Sequence, residues 1–302
     1  MAQAGLSGSL KGLSDDFAAL VERVSMSVVR VDDGSRLTAS GVVWSSDGVI
    51  VTTSHGVERD EDLSIQFADG EALPASLVGR DPDTDIAVLK VQSTSITPIQ
   101  RVESDEARVG SLVLALGRPG NSGLQATIGI ISARTETQSG GRAEYVLHTD
   151  ADMIPGFSGG PVVDMEGNIL GLTNLMFGRG RGIALGTPIV ANIAQSLLAS
   201  GRVQRGYLGV RTQQVSLPDS AREKLSAGQD RALLIAQVEP GSPAEGAGLL
   251  LGDTLLCFND APINDVETLR RLLRAHAAGT QIALHILRGG ELQVVTAVLG
   301  FE

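Results

Sequence analysis

The sequence predicts a mainly β chain, with two small barrels in its first part and a smaller α+β domain after them. Three observations carry this. Short apolar runs broken by glycine and charged turns recur from Ser27 to about Pro188, as they do in barrels and sandwiches. Glycine is frequent and aromatics are scarce, 37 glycines against 3% Phe, Trp and Tyr, which suits many turns better than a helical bundle. The 302 residues, 42% of them hydrophobic, suffice for two domains, each with a core of its own.

The elements follow in order. Ser14 reads as the cap of a short N-terminal helix, with Asp15 and Asp16 in its first turn. Phe17, Leu20, Val21 and Val24 then share one helical face. Strands are read at Ser27–Val31, Gly41–Trp44, Leu63–Phe67, Ser111–Leu116 and Gly129–Ile131, in a span long enough for two barrels with a cleft between them. A helix over Ile189–Ser200 and a polar connection, Gly201–Gly206, close this part. The second region starts near Tyr207. Its signals are a capping box at Ser242-Pro243-Ala244-Glu245, a helix from about Asp265 with Val266, Leu269, Leu272 and Leu273 on one side, and a hairpin turning at Gly289-Gly290. The expected division is an N-terminal segment 1–26, a β domain 27–190, a helix and linker 191–206 and a second domain 207–302.

Composition narrows the partners. A net charge of −11 argues against nucleic acid or an anionic membrane as the main partner. The single cysteine, Cys257, lies in the apolar run Leu255–Phe258 and reads as a core residue, with no intramolecular disulfide. The first residues lack the apolar core of a signal peptide, and no apolar stretch is long enough for a membrane span. On that ground the chain as given would be cytoplasmic. A periplasmic or cell-envelope location is the alternative if it is a piece of a longer protein. No pair of histidines has metal-ligand spacing, so no metal and no cofactor is expected.

Chemistry is signalled by Gly156-Phe157-Ser158-Gly159-Gly160, followed by Pro161. A serine among glycines presents its hydroxyl on a tight turn whose amides can face a developing oxyanion. It needs a base and an acid that orients the base. His55 follows the apolar run Val49–Thr53. Asp85 stands at the mouth of the run Ile86–Lys90, with Asp81 and Asp83 as rivals. Asp85 is preferred because it abuts the strand, where a carboxylate can be buried against His55. The order His55, Asp85, Ser158 is that of chymotrypsin. The same pentapeptide fits the nucleophile elbow of α/β-hydrolases, which requires a helix after the serine and a histidine further on. Here the chain continues as a short strand, a turn at Met165–Asn168 and another strand, and His276 and His285 fall in the second region.

With these residues in view, the chain resembles the HtrA/DegP-type serine proteases. The stretch from about 27 to 190 is similar to their chymotrypsin-like protease domain and that from about 205 to 302 to their PDZ domain. Four blocks carry the resemblance: Asp47–His55, Gly79–Lys90, Thr149–Pro161 and Gly206–Val210. It implies that Ser158 is the nucleophile, His55 the base and Asp85 its orienting acid, with the N–H groups of Gly156 and Ser158 as the oxyanion hole. It implies an S1 pocket walled by Met153 and by the segment 181–186, with Ala184 and Leu185. No acidic residue is expected at its base, so a small or apolar P1 residue is favoured. The loops 117–125, 135–142 and 176–182 resemble the family's regulatory loops.

In the second domain the resemblance implies a carboxylate-binding loop at Tyr207-Leu208-Gly209-Val210. A peptide would pair with the strand that follows, and its last side chain would sit between Leu208, Val210, Leu269 and Leu273. The implied function is ATP-independent endoproteolysis of unfolded or damaged proteins, with peptide C-termini as PDZ ligands and a homotrimer as the assembly. The alternative is a catalytically silent or chaperone-like peptide-binding protein that keeps the fold. Two departures bear on activity. Ile154 and Phe157 stand where the family has asparagines, and Ser54 and Gly56 flank His55 where the family often has Asn and Val.

Overall fold

The structure is a computed structural model. It describes residues 2–35, 38–93, 96–101, 107–120, 123–139, 142–175, 182–203, 205–218, 222, 229–276 and 278–301. Two compact units are present, the first built from Met1–Thr137 and Ala143–Val203 and the second containing Gln204–Glu302.

The first unit opens with helix α1, Ala2–Ser25. It starts well before the expected cap at Ser14, which lies in its middle. Ser14 with two following aspartates looks like a start signal, but the upstream residues continue the same helix. Leu20 and Val24 are buried as anticipated.

Twelve strands follow, in two closed antiparallel barrels. The first barrel uses β1 (Val28–Asp32), β2 (Ala39–Ser45), β3 (Val49–Thr53), β4 (Ser64–Gln66), β5 (Ala72–Asp81) and β6 (Ile86–Val91), in the order β1-β2-β3-β6-β5-β4. The second uses β7 (Leu112–Gly117), β8 (Gln125–Ser139), β9 (Arg142–Thr149), β10 (Pro161–Val163), β11 (Ile169–Thr173) and β12 (Gly182–Gly186), in the order β10-β11-β12-β9-β8-β7. Helix α2, Thr187–Ser200, ends this unit on Gly201 in the left-handed conformation.

The apolar runs are continuous rather than alternating because many strands are buried on both faces. Successive residues point into different cores. Val29, Val43, Ile50, Ala87 and Leu89 fill the first barrel, while Val113, Ala115, Leu147, Val162 and Ala184 fill the second. The neighbours of these residues, Val28, Val42, Val51, Ile86, Val88, Leu114, Leu116, Val163, Leu172 and Leu185, face the other way and form a third core shared by both barrels. Leu20 and Val24 of α1 and Ile189, Val190, Ala194 and Leu197 of α2 complete it.

The second unit is a partly helical β domain. Its main sheet runs β14 (Val210–Ser216), β15 (Arg231–Val238), β16 (Thr254–Phe258), β18 (Gln281–Arg288) and β19 (Glu291–Val298), with β17 (Ala261–Pro262) beside β16. A short pair, β13 (Gly206–Tyr207) and β20 (Gly300–Phe301), stands apart. Helix α3, Pro243–Gly246, begins at Ser242, whose hydroxyl accepts the Glu245 N–H at 3.2 Å, while Glu245 reaches back to the Gly241 N–H at 2.7 Å. Helix α4, Val266–Arg274, is capped by Asp265, which accepts the Thr268 N–H at 2.7 Å. The hairpin between β18 and β19 turns at Gly289-Gly290, both with positive φ. Cys257 is half-buried, and burial, aided by the charge of Asp260, raises its thiol pKa. Among the described residues no helix is long and apolar enough to cross a membrane.

Candidate active site

His55 and Asp85 come from the first barrel. Strand β3 ends at Thr53, and His55 lies in the turn directly after it. Strand β6 begins at Ile86, paired with Thr53, so Asp85 is set opposite that turn. Asp85 has a φ of 57°, uncommon for a residue other than glycine but more accessible to aspartate than to most. The Ser54 N–H donates to the Asp85 carbonyl at 3.0 Å. The carboxylate therefore turns inward.

Asp85 is 2% exposed, and a buried carboxylate needs donors to offset its lost hydration. It has three. Oδ1 accepts the His55 backbone N–H at 2.8 Å, while Oδ2 meets His55 Nδ1 at 2.5 Å and the Asn174 amide at 2.9 Å. Of the rival acids, Asp81 bonds Thr84 Oγ1 at 2.5 Å, and Asp83 is exposed. With Nδ1 engaged by a carboxylate, the imidazole's other nitrogen, Nε2, is left as the basic atom.

Ser158 comes from the second barrel, in the segment before β10. It is 4% exposed, and Phe157 beside it is fully buried among the residues of the second barrel's core. The strand, turn and strand after Pro161 have no helix among them, so the elbow arrangement is absent. Asp164 shapes that turn by accepting the N–H groups of Glu166 and Asn168, each at 2.9 Å.

The peptide groups around Ser158 are nearly all fixed. The Ser40 hydroxyl donates to the Gly156 carbonyl at 2.6 Å, and the Ser40 N–H to the Ser158 carbonyl at 2.9 Å. Thr173 takes the other side. Its hydroxyl bonds the Phe157 carbonyl, and its own carbonyl accepts the Gly159 N–H at 2.9 Å. The Phe157 N–H donates to Ile154 O at 3.1 Å. Among the described residues, the N–H groups of Gly156 and Ser158 donate to no protein acceptor. Only glycine fits two of these positions. Gly156 has φ +95° and a Cβ there would stand 2.5 Å from Pro119, while Gly159 has φ +85° and a Cβ there would stand 2.1 Å from Ser40 O.

Ser158 Oγ accepts a long hydrogen bond, 3.4 Å, from the Leu175 N–H. Among the described residues it makes none with His55. Leu175 also lines a cavity of about 650 Å³ that reaches Met153, Gly182, His148, Asp150 and Asp152. Of the residues expected to wall the S1 pocket, Met153 lines this cavity. Ala184 and Leu185 do not. Ala184 points into the second barrel's core and Leu185 into the shared core. Asp150 and Asp152 are among the residues that line the cavity. Of the three loops resembling regulatory ones, residues 121–122, 140–141 and 176–181 lie outside the described residues.

In the second unit, β14 is an edge strand of its sheet. Gly209 precedes it at φ +81°, and Tyr207 bonds Glu239 through its hydroxyl. The N–H groups of Leu208 and Gly209 donate to no acceptor among the described residues. Leu208 and Leu269 are buried in this unit's core, while Val210 and Leu273 are half-buried and pack at its margin.

Sequence reasoning missed Ser40, Thr173 and Asn174. Each lies far along the chain from the residue it holds, and nothing local marks a serine in Ala39-Ser40-Gly41 as a donor to a loop more than a hundred residues on.

This arrangement of barrels and residues defines a trypsin-like peptidase domain, and comparison with known proteins agrees. The trypsin-like peptidase domain family matches residues 39–172 and the PDZ domain family residues 206–299. A probable periplasmic serine endoprotease, DegP-like, of Pseudomonas putida (strain W619) is 32% identical over 98% of this chain and 64% of its own length. One of Halomonas elongata is 35% identical over 88% of this chain and 56% of its own length. The chain thus spans roughly three-fifths of these curated relatives. A serine endoprotease from Yersinia pestis superposes with a TM-score of 0.75 at 30% identity, covering 94% of this chain and 97% of that one. The HtrA-type protease AlgW with a tripeptide superposes with a TM-score of 0.73 at 31% identity, covering 95% and 97%. The chain belongs to the HtrA/DegP-type family, with a single PDZ domain after the peptidase domain.

The cytoplasmic expectation is overturned by the same relatives, which are named periplasmic. It rested on the residues at the start of the sequence, and these carry no information on location when the chain matches only part of its relatives.

The bracing by Ser40 is testable. Ser40→Ala leaves the Gly156 carbonyl and the Arg118 N–H, which donates to Ser40 Oγ at 2.8 Å, without a partner. The expected cost is about 1–3 kcal/mol, read as a lower thermal midpoint, together with slower reaction of Ser158 with a fluorophosphonate. An unchanged midpoint and labelling rate would remove the role given to this hydroxyl.

Proposed function

We propose that the chain is an ATP-independent serine endopeptidase acting on unfolded or damaged proteins, with Ser158 as nucleophile, His55 as base and Asp85 as its orienting acid. The observation that carries this reading is the 2.5 Å contact between His55 Nδ1 and the buried Asp85 carboxylate, on the barrel opposite a glycine-flanked serine with two undirected amides. In the first step Ser158 Oγ attacks the scissile carbonyl while His55 Nε2 takes its proton. The Asp85 carboxylate holds the imidazole in the needed tautomer and stabilises the cation that forms. The N–H groups of Gly156 and Ser158 receive the oxyanion. The proton then passes to the leaving amine, leaving an acyl-enzyme that water hydrolyses by the same route.

The contrary reading, a silent peptide-binding or chaperone-like protein, is favoured by one observation: Ser158 and His55 share no hydrogen bond among the described residues. Such bonds are often long before substrate binds, so this does not outweigh the rest. Casein decides between the two. The wild type is expected to degrade it and Ser158→Ala to leave it intact, and a wild type that cleaves nothing sinks the endopeptidase reading.

For the PDZ domain, the support is an open β14 edge, two unengaged amides at Leu208 and Gly209, and marginal apolar residues Val210 and Leu273. A peptide would add to β14 with its C-terminal carboxylate at those amides. Peptides with a free C-terminus are expected to bind at least about tenfold more tightly than the same peptides amidated, a loss of about 1.4 kcal/mol or more, as read by calorimetry. Equal affinity would remove the carboxylate from the reading.

The location proposed from the relatives is the periplasm or cell envelope. The assembly proposed is a homotrimer through the N-terminal segment. Its support is the length of α1, 24 residues, and the exposure of Leu10 and Leu13 along it, 63% and 51%. Light scattering should give the mass of three chains, and the mass of one would exclude the trimer.

A further inference from the structure

Resting on the reading that the chain acts on unfolded proteins, we propose that β19 is a second strand-addition site, which takes an internal extended segment of such a protein rather than its C-terminus. β19 closes the main sheet at the end opposite β14, so one of its sides has no partner strand. The two-residue turn at Gly289-Gly290 makes Arg288 and Glu291 the hydrogen-bonded pair that closes the hairpin, and the pairs alternate from there. The Leu299 N–H, which donates to Thr280 O at 2.9 Å, keeps this alternation at the far end. Leu292, Val294, Thr296 and Val298 therefore turn their N–H and C=O groups away from β18. Among the described residues these four N–H groups donate to no acceptor.

The side chains of the same four residues share one face of the sheet. Leu292, Val294 and Val298 are 42%, 61% and 56% exposed there. Sheet edges are usually blunted by lysine, proline, a bulge or shortness. β19 has none of these. It is eight residues long, contains neither lysine nor proline, and pairs with β18 without a shift of register. Such an edge is complemented by another extended backbone. Residues of the incoming strand set opposite Leu292, Val294 and Val298 place their side chains beside them, so apolar residues are needed at every second position. The positions between fall on the face of Glu291 and Gln293, both exposed, and can be polar. Glu291 is the only charged residue of β19, so the matching segment is uncharged or basic. The turn before β19 is a closed two-residue hairpin and offers no loop for a C-terminal carboxylate. A second copy of this chain is a poorer occupant. One strand edge with three exposed aliphatic side chains falls short of the roughly 1,200 Å² that a stable interface between folded proteins buries, whereas an unfolded segment brings no folded surface to be matched.

The probe is a peptide of alternating valine and threonine flanked by lysines, acetylated and amidated. It is titrated by calorimetry into the full chain carrying Ser158→Ala, which cannot cleave it. Binding is expected, and the same residues arranged in blocks should bind at least about tenfold more weakly. Val294→Pro removes one outward N–H without breaking a bond to β18, and should weaken binding by at least about tenfold. Val294→Lys leaves the main chain intact and puts a charge on the edge. It serves as the second variant if the first lowers the thermal midpoint, and it should weaken binding too. The proposal is overturned if the alternating peptide does not bind, if neither variant weakens it, or if a peptide with a free C-terminus displaces it. Light scattering that shows a dimer lost in Val294→Pro would make a second copy the occupant, and overturns it as well. None of these results depends on cleavage. If the wild type leaves casein intact while the alternating peptide binds at β19, the endopeptidase reading falls and the strand-addition site stands.

Discussion

The site depends on the core that the two barrels share. Each barrel closes on itself and could bury its inner side chains alone. The outward residues Val42, Val51 and Val88 of one and Leu116, Val163 and Leu172 of the other pack in one cluster with residues of α1 and α2. At about 25 cal/mol per Å² of apolar surface removed from water, leaving this face open would be costly, so the barrels meet in one arrangement. That arrangement brings the turn after β3 and the start of β6 to the segment before β10. The proposed nucleophile and its base belong to different barrels, and this apolar contact is what sets one against the other. The chemistry is polar, but its geometry is fixed by valines and leucines that never approach a substrate.

Finer alignment is left to hydrogen bonds that cross the same boundary. Ser40, on β2 of the first barrel, holds the carbonyls of Gly156 and Ser158 on the second. Asn174, after β11 of the second, donates to Asp85 on the first. Each barrel thus reaches into the other's half of the site. The exchange also ties Asp85 to groups from both barrels, His55 of the first and Asn174 of the second. Burial of Asp85 is tolerable because its oxygens accept from His55 twice and from Asn174 once.

Much of the fold was legible in the sequence because the pattern is local. Short apolar runs, glycine turns, the capping box at Ser242 and the Gly289-Gly290 hairpin each announce themselves within a few residues. So did the candidate serine, histidine and aspartate, which stand at strand ends. Three kinds of fact were not legible. The start of α1 was misplaced because Ser14-Asp15-Asp16 has the chemistry of a cap, and a cap signal inside a helix is overruled by residues that continue it on both sides. Ser40 and Asn174 act across the two barrels, so their partners appear only when the barrels are docked, and Thr173 reaches back to Phe157 only once its own barrel closes. The family resemblance put Ala184 and Leu185 in a pocket wall, whereas in a strand adjacent residues face opposite ways, and here Ala184 packs in the second barrel's core and Leu185 in the shared one. The aspartates at 150 and 152 sit beyond the end of β9, where no alternation told which way they turned.

Phe157 is where these strands of argument meet. In sequence it looks like a defect, an apolar residue where relatives carry asparagine, next to the serine that must react. In the structure its ring is fully buried in the second barrel's core and lies against Gly117, where an added Cβ would come within 2.9 Å of it. The side chain thus points into the barrel. Its backbone is held at both ends, the N–H by Ile154 O and the carbonyl by Thr173 and by the Gly160 N–H at 2.8 Å. A polar side chain in that core would need a partner of its own. Phenylalanine needs only volume, and it supplies an anchor between two peptide groups whose N–H donors must stay unengaged. The anchoring of this segment is thus packing, and the amides proposed to meet the substrate are main-chain atoms of the residues on either side of this ring.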